Sequence, residues 1–158
     1  MRIAPVALLF CNHPSLLLET ATLSSQITHA NVFGYRGAIL QCLAVTKALK
    51  NSGNLDANKF LDELICEMKA MEKSDISEAE AESSDQDSDD DKEVLLFSAR
   101  LETVKKFLSL PKPPPLEEIQ QFLGVEVSAF KSVPTAIYCF LAGQKPIDGL
   151  KVRFLNIA

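Results

Sequence analysis

The sequence predicts an all-α protein, and two observations carry that prediction. Apolar residues recur at steps of three and four along several segments, which places them on one face of a helix. Runs that alternate apolar and polar residues, as half-buried strands do, are missing apart from a candidate strand at 151–157. The 158 residues, 47% of them apolar and 23% charged, suit a globular domain. We predict helices over 16–30, 37–50, 56–71, 93–110, 116–123 and 128–142.

The first ten residues have two interpretations. Met1 and Arg2 precede an apolar run from Ile3 to Phe10, which is the pattern of a short signal peptide. Pro5 lies inside that run, and residues 12–14 offer no small-residue cleavage site, which counts against this interpretation. The alternative is a buried helix near the start of the chain.

The next two predicted helices differ in the quality of their pattern. Segment 16–30 has only a loose apolar face. In segment 37–50, Ile39, Leu40 and Leu43 share a face because they are three or four residues apart. The tripeptide Asn-Ser-Gly follows at 51–53, and glycine commonly ends a helix at that position.

Segment 56–71 has the cleanest helical pattern of the chain. Its apolar stripe consists of Phe60, Leu61, Leu64, Ile65, Met68 and Met71. Asn54 or Asp56 can cap the unpaired N–H groups at its start. The same periodicity returns in 93–110, which ends before a proline-rich run because proline lacks an N–H donor. Two amphipathic segments, 116–123 and 128–142, complete the helices.

Residues 72–93 form a strongly acidic segment. They hold 11 acidic and 2 basic residues, a net of −9 in a chain of net −5, so the other 136 residues sum to +4. With three apolar residues, such a segment buries too little surface to offset its ordering entropy. We therefore predict a disordered acidic loop between two ordered segments, 1–71 and 94–145.

Composition excludes several classes of protein. The net charge of −5 is opposite to that of a general basic nucleic-acid surface, and no apolar run reaches the length of a membrane span. The four cysteines, at positions 11, 42, 66 and 139, are too far apart for a CxxC pair or a thiolate metal site. Scattered thiols on apolar faces favour a reducing compartment.

Two stretches carry a specific resemblance. The first stretch reads LSSQITHA at residues 23–30 and continues with GYRGAILQ at residues 34–41. The second stretch reads AFKSVPTAIYCFL at residues 129–141. Together, in this order, they resemble the ADP-ribosylglycohydrolase family. The resemblance covers 1–50 and 116–141 well and the middle of the chain poorly.

The resemblance implies an orthogonal helical bundle, here incomplete, and places Met1 inside a domain, which disfavours a signal peptide. It also implies hydrolysis of the O-glycosidic bond of ADP-ribose on serine or in poly(ADP-ribose), with two magnesium ions as family cofactors. The family's Thr-Asp-Asp and Gly-Gly-Asp-x-Asp-Thr motifs, which hold those ions, do not occur in the sequence. Similar strings within 85–90 lie in the acidic segment in the wrong order, so we assign no catalytic and no metal-binding residues.

Two substrate-binding residues follow from the resemblance. His29, in Thr-His-Ala, matches a family histidine that lines the ADP-ribose pocket, and Val127 matches an aliphatic residue of the pocket wall. The family's Gly-Asn-Gly just before that wall reads Gly-Val-Glu here, at residues 124–126. A β-branched residue and a charge in place of an amide and a flexible glycine alter the wall's backbone preferences.

The sequence is interpreted as a partial ADP-ribosylglycohydrolase domain over 1–145, with a divergent tail over 146–158. We expect this chain to hydrolyse ADP-ribose poorly. The alternatives are a non-enzymatic module that binds ADP-ribose or basic partners such as histones, and an unstable fragment whose helix faces at Leu40/Leu43 and Leu64/Met68 lack partners. The resemblance implies ADP-ribosylated proteins as partners, no direct nucleic-acid or membrane contact, and a monomer in the cytoplasm, nucleus or mitochondrial matrix.

Overall fold

A computed structural model describes residues 3–29, 31–51, 55–82, 96–124 and 126–143. Within these ranges the chain forms helices and no strand, which confirms the predicted fold class. The helices are α1 (Ala4–Phe10), α2 (Pro14–Gln26), α3 (Val32–Lys50), α4 (Ala57–Glu82), α5 (Phe97–Ser109), α6 (Leu116–Phe122) and α7 (Ala129–Ala142). In the described part of the chain, no helix is both long and apolar enough to cross a membrane. The candidate strand and the predicted tail lie outside the described residues.

Helix α3 is the centre of the fold, because it packs against α1, α2, α4 and α7. One of its faces joins a large apolar cluster with α4, α5 and α7 that includes Leu40, Leu64, Met68, Leu101 and Tyr138. Its other face joins a smaller cluster with α1 and α2 that includes Ala7, Leu17, Ala21, Ile39 and Cys42. The helix faces that lack partners under the unstable-fragment alternative are packed here: Leu40, Leu64 and Met68 are fully buried and Leu43 is partly buried.

Local sequence explains where several helices begin. Pro5 and Pro14 lie in the first turns of α1 and α2, where the missing N–H has no helical partner to lose. Asn31 caps α3, its Oδ1 accepting from the Phe33 N–H at 2.8 Å. Asp56 caps α4 in the same way, accepting from the Asn58 N–H at 2.9 Å, which confirms one of the two predicted caps.

The start of the predicted acidic loop is corrected by the structure. Helix α4 continues to Glu82, and Glu72 is only 2% exposed. Its Oε1 accepts from the Phe97 N–H at 2.7 Å, and its Oε2 accepts from the Ser98 hydroxyl at 2.6 Å. The prediction of disorder from residue 72 onward rested on composition alone. Composition does not reveal that one carboxylate of this segment pairs with the N-terminus of another helix. Residues 83–93 lie outside the described residues.

Candidate functional site

A cavity of about 700 Å³ lies where the α2–α3 connection meets the beginning of α7. The predicted residues His29 and Val127 both line it, although they come from distant parts of the chain. Its other lining residues are Asn31, Phe33, Gly34, Gln41, Ser128, Ala129, Ser132, Val133, Ala136 and Ile137. The structure thus brings together the two residues that the resemblance selected, while their role in binding stays a prediction.

His29 is an exposed residue in the turn after α2. The Thr28 Oγ1 lies 2.7 Å from its Nδ1. The Thr28 hydroxyl also lies 3.3 Å from the Ser25 carbonyl, so both tautomers of His29 fit this contact, and Nε2 can present a donor or an acceptor. A Cβ added at Gly34 would lie 2.7 Å from the His29 Cβ. Glycine at position 34 is therefore what lets the first turn of α3 approach the imidazole.

The N-termini of two long helices, α3 and α7, meet at the cavity. Asn31 and Ser128, the N-cap residues of these helices, both line it. The Ser128 side chain makes no capping hydrogen bond, so it leaves the first amides of α7 without that partner. Two helix N-termini give this region a positive potential, which favours an anionic ligand.

A close approach of α3 and α7 fixes the separation of the two walls. A Cβ added at Gly37 would lie 2.7 Å from the Ala129 Cβ, so only glycine at 37 permits this spacing. Phe33 on α3 and Phe130 on α7 also pack together, with ring centroids 5.4 Å apart. The cavity is therefore a product of the packing of these two helices and not of either alone.

The wall at Val127 is built on an irregular segment between α6 and α7. Val127 itself is fully exposed. Gly124 has a φ of +82°, a left-handed conformation that favours glycine, and its carbonyl accepts from the Thr135 hydroxyl at 2.8 Å. Lys131 and Glu126 form an ion pair at 2.6 Å beside it. Gly124, the first residue of the Gly-Val-Glu string at 124–126, therefore occupies the position with positive φ.

The described residues contain no cluster of metal-binding side chains. No group of three or more His, Cys, Asp or Glu side chains converges anywhere in the described ranges. Magnesium in proteins is held through carboxylate oxygens and water, and the cavity has no carboxylate in its lining. The acidic motifs within 85–90 lie outside the described residues.

Sequence reasoning missed several polar residues of the cavity. Asn31, Gln41, Ser128 and Ser132 all present hydrogen-bonding groups in its lining. A capping signal was available for two of them, since Asn and Ser are the residues preferred just before a helix begins. Gln41 and Ser132 carried no such signal, because they lie within helices and only the α3–α7 packing brings them to one place.

Comparison with known proteins identifies the family to which this chain belongs. The family model for ADP-ribosylglycohydrolase matches residues 1–156, and the chain belongs to that family. ADP-ribosylhydrolase ARH3 of Gallus gallus is 40% identical over 157 residues, which are 99% of this chain and 40% of the relative. The protein of the same name from Xenopus tropicalis is 36% identical over 99% of this chain and 42% of its own length. That from Homo sapiens is 36% identical over 99% of this chain and 40% of its own. The chain therefore spans about two fifths of these relatives.

Proposed function

We propose that this chain supplies one side of the ADP-ribose pocket of an ADP-ribosylhydrolase, and that ADP-ribose binds in the cavity at His29. The single observation that carries the proposal is the convergence of His29 and Val127 on one cavity. Both were selected by their match to family pocket residues. Nothing in the spacing of positions 29 and 127 along the chain requires them to meet.

The chemistry of the cavity supports ADP-ribose as its ligand. Its volume of about 700 Å³ lies within the range of small-molecule sites. The imidazole, amide and hydroxyl groups of His29, Asn31, Gln41 and Ser132 suit the hydroxyls of two riboses. The N-termini of α3 and α7 suit the diphosphate, because amide N–H groups and the helix dipole both favour anions.

The role proposed for these residues is to bind and orient the ligand. Hydrolysis of the glycosidic bond needs a positioned water and a carboxylate near the anomeric carbon. In the family, magnesium supplies the orienting charge, and this sequence lacks the family's metal motifs. We assign hydrolysis to the longer family protein and expect these 158 residues to bind ADP-ribose with little turnover.

The proposed partners are ADP-ribosylated proteins, including histones. The relatives are named ADP-ribosylhydrolases, and the net charge of −9 over 72–93 complements basic histone tails. We also propose that the chain is a monomer and that it resides in the cytoplasm, the nucleus or the mitochondrial matrix.

The test is calorimetric titration of the 158-residue chain with ADP-ribose, with and without magnesium. We expect magnesium-independent binding that weakens about tenfold in His29→Ala, the effect of losing one good hydrogen bond. His13→Ala is the matched control, because His13 is also exposed but is not in the lining of the cavity. No binding by the wild-type chain, or equal effects of the two substitutions, would contradict the proposal. Binding that requires magnesium would contradict the absence of a metal site.

A further inference from the structure

Arg100 of α5 is bonded to the end of α6, immediately before the wall that carries Val127. Its Nη1 donates to the Phe122 carbonyl at 3.0 Å and to the Leu123 carbonyl at 2.9 Å. The last carbonyls of a helix have no partner within the helix, and they lie at the negative end of its dipole. A guanidinium at this position satisfies two of them and complements their charge.

The same guanidinium also contacts the beginning of α7. Its Cζ lies 4.3 Å from the centroid of the Phe130 ring, a cation–π contact. Phe130 packs in turn against Phe33, which lines the cavity, and against Phe97 at the start of α5, with ring centroids 5.2 Å apart. Arg100 therefore touches the chain on both sides of the segment that forms the Val127 wall.

Two further contacts from α7 hold the wall: Lys131 pairs with Glu126 at 2.6 Å, and Thr135 bonds to Gly124. The Thr135 hydroxyl of α7 donates to the Gly124 carbonyl at 2.8 Å. Burial lowers the pKa of Arg100, and the nearby carboxylate of Glu126 opposes that shift. The described residues of segment 122–128 are thus held at their start by Arg100, at Gly124 by Thr135, and at their end by the Phe130 ring, which contacts the guanidinium.

We propose that Arg100 is a positioning residue for ADP-ribose binding: it fixes the wall of residues 122–128 through the two carbonyls and Phe130, without touching the ligand. The role rests on the proposed function of the cavity. Arg100 is absent from the cavity lining, whereas Val127 and Ser128, which it holds in place indirectly, belong to it.

Two substitutions of Arg100 separate the effect of its hydrogen-bond donors from the effect of its side-chain volume. Arg100→Met keeps a long apolar side chain over Phe130 and removes every donor. Arg100→Lys keeps the charge and a donor, and it removes the buried Nε, which has no hydrogen-bond partner. Lys105→Met is the control, because Lys105 lies on the same helix but forms an ion pair with Asp62, away from the cavity. Thr135→Val replaces the hydroxyl that bonds to the Gly124 carbonyl, and to the Lys131 carbonyl at 2.9 Å, with a methyl group and provides a second, milder variant.

The measurements are the dissociation constant for ADP-ribose and the hydrogen-exchange rates of the amides in 122–128. We expect Arg100→Met to weaken binding about tenfold relative to Lys105→Met and to speed exchange in this segment. Arg100→Lys should stay within about threefold of the wild type, and Thr135→Val should weaken binding about threefold. Recovery of ADP-ribose binding in Arg100→Lys relative to Arg100→Met separates the two roles, because a side chain that only fills space is replaced equally well by methionine.

Several outcomes overturn the proposal. Unchanged affinity in a folded Arg100→Met variant overturns the positioning role while the cavity remains an ADP-ribose site. If Arg100→Met does not fold, Thr135→Val provides the test. Faster amide exchange in 122–128 with unchanged affinity for ADP-ribose would then overturn the positioning role, because movement of the wall would not affect binding. Failure of the wild-type chain to bind ADP-ribose overturns the proposed function, and this role with it.

Discussion

Removal of the Glu72 carboxylate should cost the fold more than removal of any surface charge. Glu72 is 2% exposed and lies on α4, yet its carboxylate pairs with the first turn of α5. The N-cap residue of α5, Leu96, makes no side-chain capping bond, so Glu72 performs that task from another helix. Glu72→Ala would leave the Phe97 N–H and the Ser98 hydroxyl buried without this partner.

The hydrogen-bond geometry sets the magnitude. Two contacts are short, at 2.7 Å to the Phe97 N–H and 2.6 Å to the Ser98 hydroxyl. The third, to the Ser98 N–H at 3.4 Å, is too long to contribute much. A hydrogen bond to a charged group contributes about 1.5–3 kcal/mol, so two such bonds at the lower end of this range predict that Glu72→Ala lowers the free energy of unfolding by about 3 kcal/mol. Glu72→Gln should cost about 1 kcal/mol, because its amide oxygen still accepts and the serine hydroxyl can accept from its NH2 group.

Urea denaturation followed by circular dichroism measures both values. Lys69→Ala is the matched control: Lys69 pairs with Glu102 at 2.6 Å between the same two helices, but both side chains are nearly half exposed. An exposed pair contributes little to stability, because water and salt screen its charges. If Glu72→Ala is no more destabilising than Lys69→Ala, the argument that Glu72 caps α5 is refuted.

Two further predictions concern the core. Gly37→Ala should lower the melting temperature and weaken ADP-ribose binding, because the Cβ of the new alanine would lie 2.7 Å from the Ala129 Cβ. A rise in melting temperature would show that the higher helix propensity of alanine outweighs this contact. Burial raises the pKa of Cys42 from 9.0 to about 11, so the folded chain keeps a proton that the unfolded chain releases. The free energy of unfolding should therefore fall as pH rises from 9 to 11, and it should fall less in Cys42→Ala. At pH 8 an aromatic disulfide reagent should modify the exposed Cys66 before the buried Cys42. If both thiols react at the same rate in the folded protein, the burial of Cys42 is contradicted.

The sequence predicted the helices better than their ends. Each predicted helix is present, because apolar periodicity reports which face is buried and α3, α4, α5 and α7 bury such faces. Helix α3 begins at Val32 instead of 37, since Asn31 caps it and the glycines at 34 and 37 are tolerated for close packing. Helix α4 extends beyond residue 71 because Glu72 has a partner that periodicity does not show.

The candidate site was predictable only in part. His29 and Val127 came from the family resemblance and not from any periodic pattern, since both lie outside regular helix. The contact of Arg100 with the Phe122 and Leu123 carbonyls joins residues more than twenty positions apart. Side-chain bonds to distant carbonyls leave no periodic trace in a sequence, so the anchors of the wall become visible only in three dimensions.

The link between Glu72 and Phe97 also bears on how this part of the chain can change over evolution. Glu72 is held to the first turn of α5 by the Phe97 N–H at 2.7 Å and by the Ser98 hydroxyl at 2.6 Å. The free energy of closing a loop grows only slowly with its length, by about 0.6 kcal/mol for each doubling. Insertions, deletions and new charged residues can therefore accumulate between α4 and α5 at little cost to the packed helices, provided that position 72 keeps its carboxylate.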